Sequence, residues 1–209
     1  MIIQFLIVTS SNFSQSKLQK NVEIISTYII EANKNSKTVY EQLDSIYSFA
    51  LRINNFDISE TLLSLTFATI PYNSIPITTP LLKININYPI ISADEEIFQK
   101  KNKYLPKYLF IDSPQTDFGD KDKLAHFFGS AFVRYNSLFF DLTPLIGYFV
   151  EVFEESFVMN ASIDERDLIV NKLGSKFGGE LIQDKNQMPS KQFLFYSFNK
   201  LMITTCLAF

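Results

Sequence analysis

The sequence predicts an α+β protein, mainly α, with an N-terminal helical segment, a few short edge-type strands and a C-terminal three-helix bundle. Three observations predict it. Apolar residues recur at helical spacing through residues 17–55. Pro71, Pro76, Pro80 and Pro89 punctuate a β-favouring stretch, which suits edge strands. After residue 120, three segments each set polar or small residues on one face at steps of three or four.

The first of these rests on Val22, Ile25, Tyr28, Ile29 and Ile30, then on Val39, Leu43, Ile46, Tyr47, Ala50 and Leu51, with a break expected at Asn33–Ser36. Asp57 to Glu60 could begin a helical turn, but Leu62–Ile70 then turns to β-favouring residues. Ile84, Ile86 and Tyr88 alternate with Asn85 and Asn87, as a half-buried strand does. Lys100, Lys101, Lys103 and Lys107 read as a solvated turn. Asp112-Ser113-Pro114 and Phe118-Gly119-Asp120 are turn signals.

In the C-terminal half, Asp120 or Asp122 caps a first helix carrying Leu124, Phe127, Phe128, Ala131 and Phe132. Pro144 opens a second helix to about Phe157. Ser162 or Asp164 caps a third, with Leu168, Ile169, Leu173 and Phe177 on its apolar face. The tail, 189–209, is apolar and fits a packed helix or an edge strand.

At 209 residues, 46% hydrophobic and 20% charged, the chain can bury a sizeable core and does not read as disordered. It divides into residues 1–16, 17–115, 116–188 and 189–209. Net charge is -3, with no basic tract, so no nucleic-acid partner is expected. Cys206 is the one cysteine, which excludes an internal disulfide and a cysteine metal cluster. Residues 1–16 resemble a shortened signal peptide: an apolar run, then Ser14-Gln15-Ser16 as a small-x-small site. Export, to a periplasmic or membrane-associated location, follows if that reading holds, and a cytoplasmic one if it does not. The nearest candidate for a membrane span, Leu138 to Phe153, contains Asp141, Pro144 and Glu151, which disfavours a polytopic membrane protein. Attachment to a membrane surface, or to an envelope protein partner, stays open.

The chemistry-bearing residues fall in the three segments. The first offers Asp122, Lys123, His126 (the one histidine) and Ser130. The second offers Glu151, Glu154 and Glu155, and the third Asp164, Arg166, Asp167 and Asn171. Gly147, Gly174 and Gly178 share those faces and would let helices approach closely. Three chemistries fit. A carboxylate could orient His126 for acid–base work. His126 and Glu151, with Glu155 or Asp167, could hold a divalent metal. Or paired buried charges could fix the register of the helices.

Asp122-Lys123-x-x-His126-Phe127, then Gly147-x-x-x-Glu151, then Asp167-Leu168-x-x-Asn171-x-x-Gly174-x-x-x-Gly178 resembles the pattern of the VanZ-like and YfiM-like families of uncharacterised cell-envelope proteins. Arg166 matches the Arg that often precedes the closing motif in VanZ-like proteins. The likeness covers about residues 120–180. It implies envelope biology and brings no settled activity. VanZ-like proteins span the membrane several times and YfiM-like proteins are small lipoproteins; this sequence has neither clear spans nor a lipobox cysteine. The expected function is an exported or envelope-associated, non-enzymatic factor with a structural polar cluster. The alternatives are a metal-assisted or acid–base hydrolase acting on an envelope lipid or glycan, and an interfacial membrane-binding module.

Overall fold

Helices α1 (Ser11–Asn35) and α2 (Val39–Ile53) form where the apolar rhythm places them. The computed structural model describes residues 11–36, 38–78, 85–137 and 165–207. Val22, Ile25, Ile29 and Ala32 of α1 are buried, as are Leu43, Ile46, Tyr47 and Ala50 of α2. Both sets follow the three-and-four spacing of one helical face. Thr38 caps α2, its hydroxyl accepting the Glu41 N–H at 3.1 Å. At the far end the Asn54 side chain donates to the Ala50 carbonyl at 2.9 Å and accepts from Asn21 of α1 at 2.8 Å, a buried polar link between the two helices.

Residues Leu62–Ile70 are not a strand. All but Ile70, the extended residue that ends it, lie in helix α3 (Ile58–Thr69), started by Asp57, whose carboxylate accepts the Glu60 N–H at 2.9 Å. Two effects override the β-favouring composition. Thr66 and Thr69 return their hydroxyls to the carbonyls of Leu62 and Leu65 at 2.7 and 2.8 Å, so these polar groups are satisfied within the helix. And α3 packs against α1, α2 and the helix that carries His126, so apolar and small residues are needed around most of its girth. A helix buried on several sides loses the periodicity that would reveal it.

The expected edge strands form one antiparallel ribbon, β1 (Ser74–Thr78) with β2 (Asn85–Pro89), paired Ser74 to Pro89 through Thr78 to Asn85. With two strands both are edges, which accommodates Pro76 and Pro89.

The lysine-rich stretch is not a solvated turn. Lys100, Lys101 and Lys103 belong to helix α4 (Glu95–Tyr104), and Lys101 is buried, its ammonium donating to the Ile70 carbonyl and lying 4.9 Å from the centre of the Phe98 ring. The loop from residue 105 to 122 then wraps around Asp120. Gly119 takes φ +56°, and a Cβ there would collide with the Lys107 carbonyl, so glycine is required twice over.

Helix α5 (Lys123–Asn136) buries Leu124, Phe127, Phe128, Ala131 and Phe132 as the spacing predicts. Neither aspartate caps it: Asp122 stands at the cap position but makes no capping hydrogen bond, and the Asp120 carboxylate serves the preceding loop. Helix α6 (Glu165–Gln183) buries Val170, Phe177 and Leu181. Leu168 does not join that face and is 52% exposed, because it is turned about 100° from Asp167, which meets α5. Helix α7 (Ser190–Leu207) takes up the tail, anchored by the buried Phe193 and by Asp44 of α2, which accepts from the Ser190 N–H at 3.0 Å.

The fold is mostly helical. One hydrophobic core runs from Val22 of α1 through α2, α3, α5 and α6 to Phe193 of α7. Among the described residues no helix is long and apolar enough to cross a membrane. The expected second bundle helix, with Gly147, Glu151, Glu154 and Glu155, and the expected caps Ser162 and Asp164 lie outside the described residues, as do residues 1–10 of the expected signal peptide. Ser14–Ser16 lie within α1.

Candidate functional site

Helices α5 and α6 meet along one seam, and the polar residues fill its first half. Asp167 of α6 reaches Lys123 and His126 of α5. One turn on, Asn171 accepts from the Ser130 hydroxyl at 3.0 Å and also hydrogen-bonds the His126 imidazole. Below the polar residues the backbones close up: a Cβ on Gly174 would overlap the Phe127 carbonyl, and one on Gly178 the Ala131 carbonyl. The partners rise in number together along both chains, so α5 and α6 run parallel, with their N-termini side by side. Those two ends carry positive partial charge, which favours carboxylates such as Asp122 and Asp167 there.

The centre of the cluster is a lysine held by two acids. Lys123 Nζ lies 3.0 Å from Asp122 Oδ2 and 2.7 Å from Asp167 Oδ1, the latter an ion pair off the angle of a hydrogen bond. Its side chain is only 4% exposed. Burial alone would lower the pKa of the ammonium; Asp167 and Asp122 outweigh that and hold it above the usual lysine value. His126 Nε2 stands 3.8 Å from Asp167 Oδ1. Burial pushes its pKa below the ordinary histidine value and Lys123 adds to this, while the charges of Asp167 and Asp122 and the Asn171 hydrogen bond oppose it. The imidazole is therefore neutral at pH 7. The side chains of His126 and Asp167 keep 14% and 18% exposure, so the cluster opens to solvent narrowly.

A second bridge lies beside the first. Asp120, with no exposed side-chain surface, accepts from Arg166 of α6 at 2.9 Å, from the Leu109 N–H at 3.2 Å and from the Ser113 hydroxyl. Burial raises its pKa against those partners and against the charges of Arg166 and Lys123. The loop before α5 is thus tied to the first turn of α6.

Asp122, Lys123, His126, Asp167 and Asn171 lie together, and Gly174 and Gly178 line the same seam. Glu151, Glu155 and Gly147 lie outside the described residues. One participant, Asp120, is not marked by the sequence reading. Asp120 was read as a turn or cap residue, and only its buried loop partners reveal its role. Tyr72, beside Phe118 with ring centres 6.5 Å apart, lies near enough to the cluster that its phenol feels the charges of Asp122, Lys123 and Asp167, although burial is the larger cause of its raised pKa. It follows Pro71 in an extended stretch, where no periodicity marks it.

Chemically, one atom each from Asp122, His126 and Asp167 fall within 4.8 Å of one another, a donor set suited to a divalent cation. The Lys123 ammonium already supplies positive charge between the two acids, so an entering cation would have to displace it. The chain matches no family model, no curated protein and no solved structure.

Proposed function

We propose that the chain is a non-enzymatic cell-envelope factor in which this cluster is a polar staple, holding α5 and α6 in one register. The observation that carries the reading is Lys123, buried and in contact with Asp122 and Asp167 at once. A buried pair fixes geometry because breaking it leaves a charge uncompensated. The envelope assignment rests on the VanZ-like and YfiM-like pattern, which includes Asp122, Lys123, His126, Asp167 and Asn171. The three-helix bundle belongs to the same proposal. The parallel run of α5 and α6 is what an up–down–up order requires of its first and third helices.

The staple reading predicts that His126→Ala lowers the melting temperature, through a loss of about 1–3 kcal/mol from the partners left unsatisfied. An unchanged melting temperature contradicts it. A second reading is favoured by Asp122 Oδ1, which is buried without a hydrogen-bond partner among the described residues. In it, a divalent metal replaces the Lys123 ammonium and serves a hydrolase acting on an envelope lipid or glycan. Elemental analysis of the purified wild type and of His126→Ala separates the two. Stoichiometric metal, lost in the variant, supports the second reading, and its absence from the wild type removes it.

A further inference from the structure

Among the described residues, helix α7 is apolar on both sides yet buries only one of them in the core. Phe193 is buried in the core, whereas Leu194, Phe195 and Phe198 on the opposite side are 48%, 55% and 61% exposed. A helix apolar all round is ordinarily covered all round, and clustered exposed apolar side chains mark an interaction surface. The charge beside this face is mostly positive, although Lys200 is paired with Asp112 at 2.5 Å. Helix α7 contains Lys191 and Lys200 and no Asp or Glu. Next to it, Arg134, Lys172 and Lys176 line an open groove with Ser175, Gly179, Gln183 and one acid, Glu180. That acid is met by Lys191 at 3.3 Å and by Lys176 at 3.9 Å. The groove and the apolar face are continuous, because Lys176 Nζ lies 4.6 Å from the centre of the exposed Phe195 ring.

We infer that this face docks on an anionic lipid surface, with Leu194, Phe195 and Phe198 entering the headgroup boundary and Lys172, Lys176 and Arg134 meeting lipid phosphates. Two arguments select this occupant. A second copy packed face to face would bring the same cations together, which like-charge repulsion opposes. And the apolar side chains project from a convex helix, a shape that a fluid interface receives without a preformed groove. The inference goes beyond the staple and does not depend on it.

The test is co-sedimentation of the full chain with phosphatidylcholine vesicles, with and without about one-third phosphatidylglycerol, at low and high salt. Binding is expected to the anionic vesicles and to weaken with salt. Phe195→Ser with Phe198→Ser should reduce it at least about tenfold, through lost apolar insertion. Lys172→Gln with Lys176→Gln should reduce it roughly 10- to 30-fold, at about 1 kcal/mol per cation. All four side chains lie on the surface, so melting temperatures should hold, and a loss of binding in a variant that melts like the wild type counts for the proposal. Failure of the wild type to bind anionic vesicles overturns it, as does equal binding to pure phosphatidylcholine. Sedimentation velocity supplies the remaining outcome: a dimer abolished by the phenylalanine substitutions gives the face to a second copy and also overturns it. Lys123 variants that still fold should bind vesicles like the wild type, which keeps failure of the staple distinct from failure of this proposal.

Discussion

Lys123 on the first turn of α5 and Asp167 on the first turn of α6 form a buried ion pair, 2.7 Å from Nζ to Oδ1, at the point where two parallel helices begin. Asp122 closes on the same ammonium from the other side at 3.0 Å. Desolvating these groups is costly, and their mutual contact offsets that cost only while all of them are present. The pair therefore acts as a register device, and the seam below it makes this checkable.

Gly174→Ala and Gly178→Ala should each destabilise the protein by about 1–3 kcal/mol, because the added methyl meets a fixed backbone carbonyl on α5. Gly179→Ala is the control. A Cβ there meets the flexible Arg134 side chain at 3.6 Å, an ordinary contact, so the gain in helix propensity of up to about 1 kcal/mol should prevail. Urea unfolding of the three variants measures the contrast, and equal effects would show that α6 does not approach α5 as described.

Largely desolvated, His126 gives stability a defined pH dependence. Its folded pKa lies below the unfolded value of 6.5. Above that value both states are neutral and its contribution is complete. As pH falls through the unfolded value, the unfolded chain takes a proton that the folded site resists, and stability is lost down to the folded value. His126→Gln removes this component. The stability of the wild type should therefore fall more steeply than that of the variant between about pH 8 and about pH 5. Parallel curves would place the imidazole in a solvated setting.

Lys101 gives a second window, on the alkaline side. Burial lowers its pKa from 10.5 to about 7. Between those values the unfolded chain holds a proton that the folded one has released, so stability rises with pH across the window. Lys101→Met should flatten that rise in denaturant titrations at about pH 7 and about pH 9.5. An unchanged rise would mean that the ammonium is not desolvated against Ile70 and Phe98.

The cap at Asp57 tests the helix that composition conceals. Asp57→Ala should cost about 1 kcal/mol through the lost bond to the Glu60 N–H. Asp57→Asn, which keeps the acceptor, should recover most of that. If neither matters to thermal unfolding, α3 does not begin at Ile58.

Amphipathic elements were legible in the sequence and enclosed ones were not. Helices α1, α2 and α5 each show a core face against a polar one, so Val22, Ile25, Leu43, Ile46, Phe127 and Phe128 could be placed in the core from spacing alone. Helix α3, enclosed on several sides, has no polar face to set its period, and its threonines mimic a strand until their hydroxyls are seen to bond inside the helix. Helix α4 was hidden by lysines that spacing counts as solvated, although Lys101 is buried. In the site, Asp122, Lys123, His126, Asp167 and Asn171 could be grouped because steps of three and four survive as a shared helical face. Asp120 joins the site from irregular backbone, where sequence distance carries no direction. Leu168 was misassigned because α6 turns its polar and glycine face, and not its most apolar one, toward α5.

The most direct measurement is a double-mutant cycle in urea: wild type, Lys123→Met, Asp167→Asn and the pair. Lys123→Met alone should cost about 3–5 kcal/mol, because two carboxylates lose their shared cation. With Asp167 neutralised as well, much of that cost should vanish, giving a coupling energy of about 2–3 kcal/mol between the helices. Additive losses, with coupling near zero, would contradict the staple.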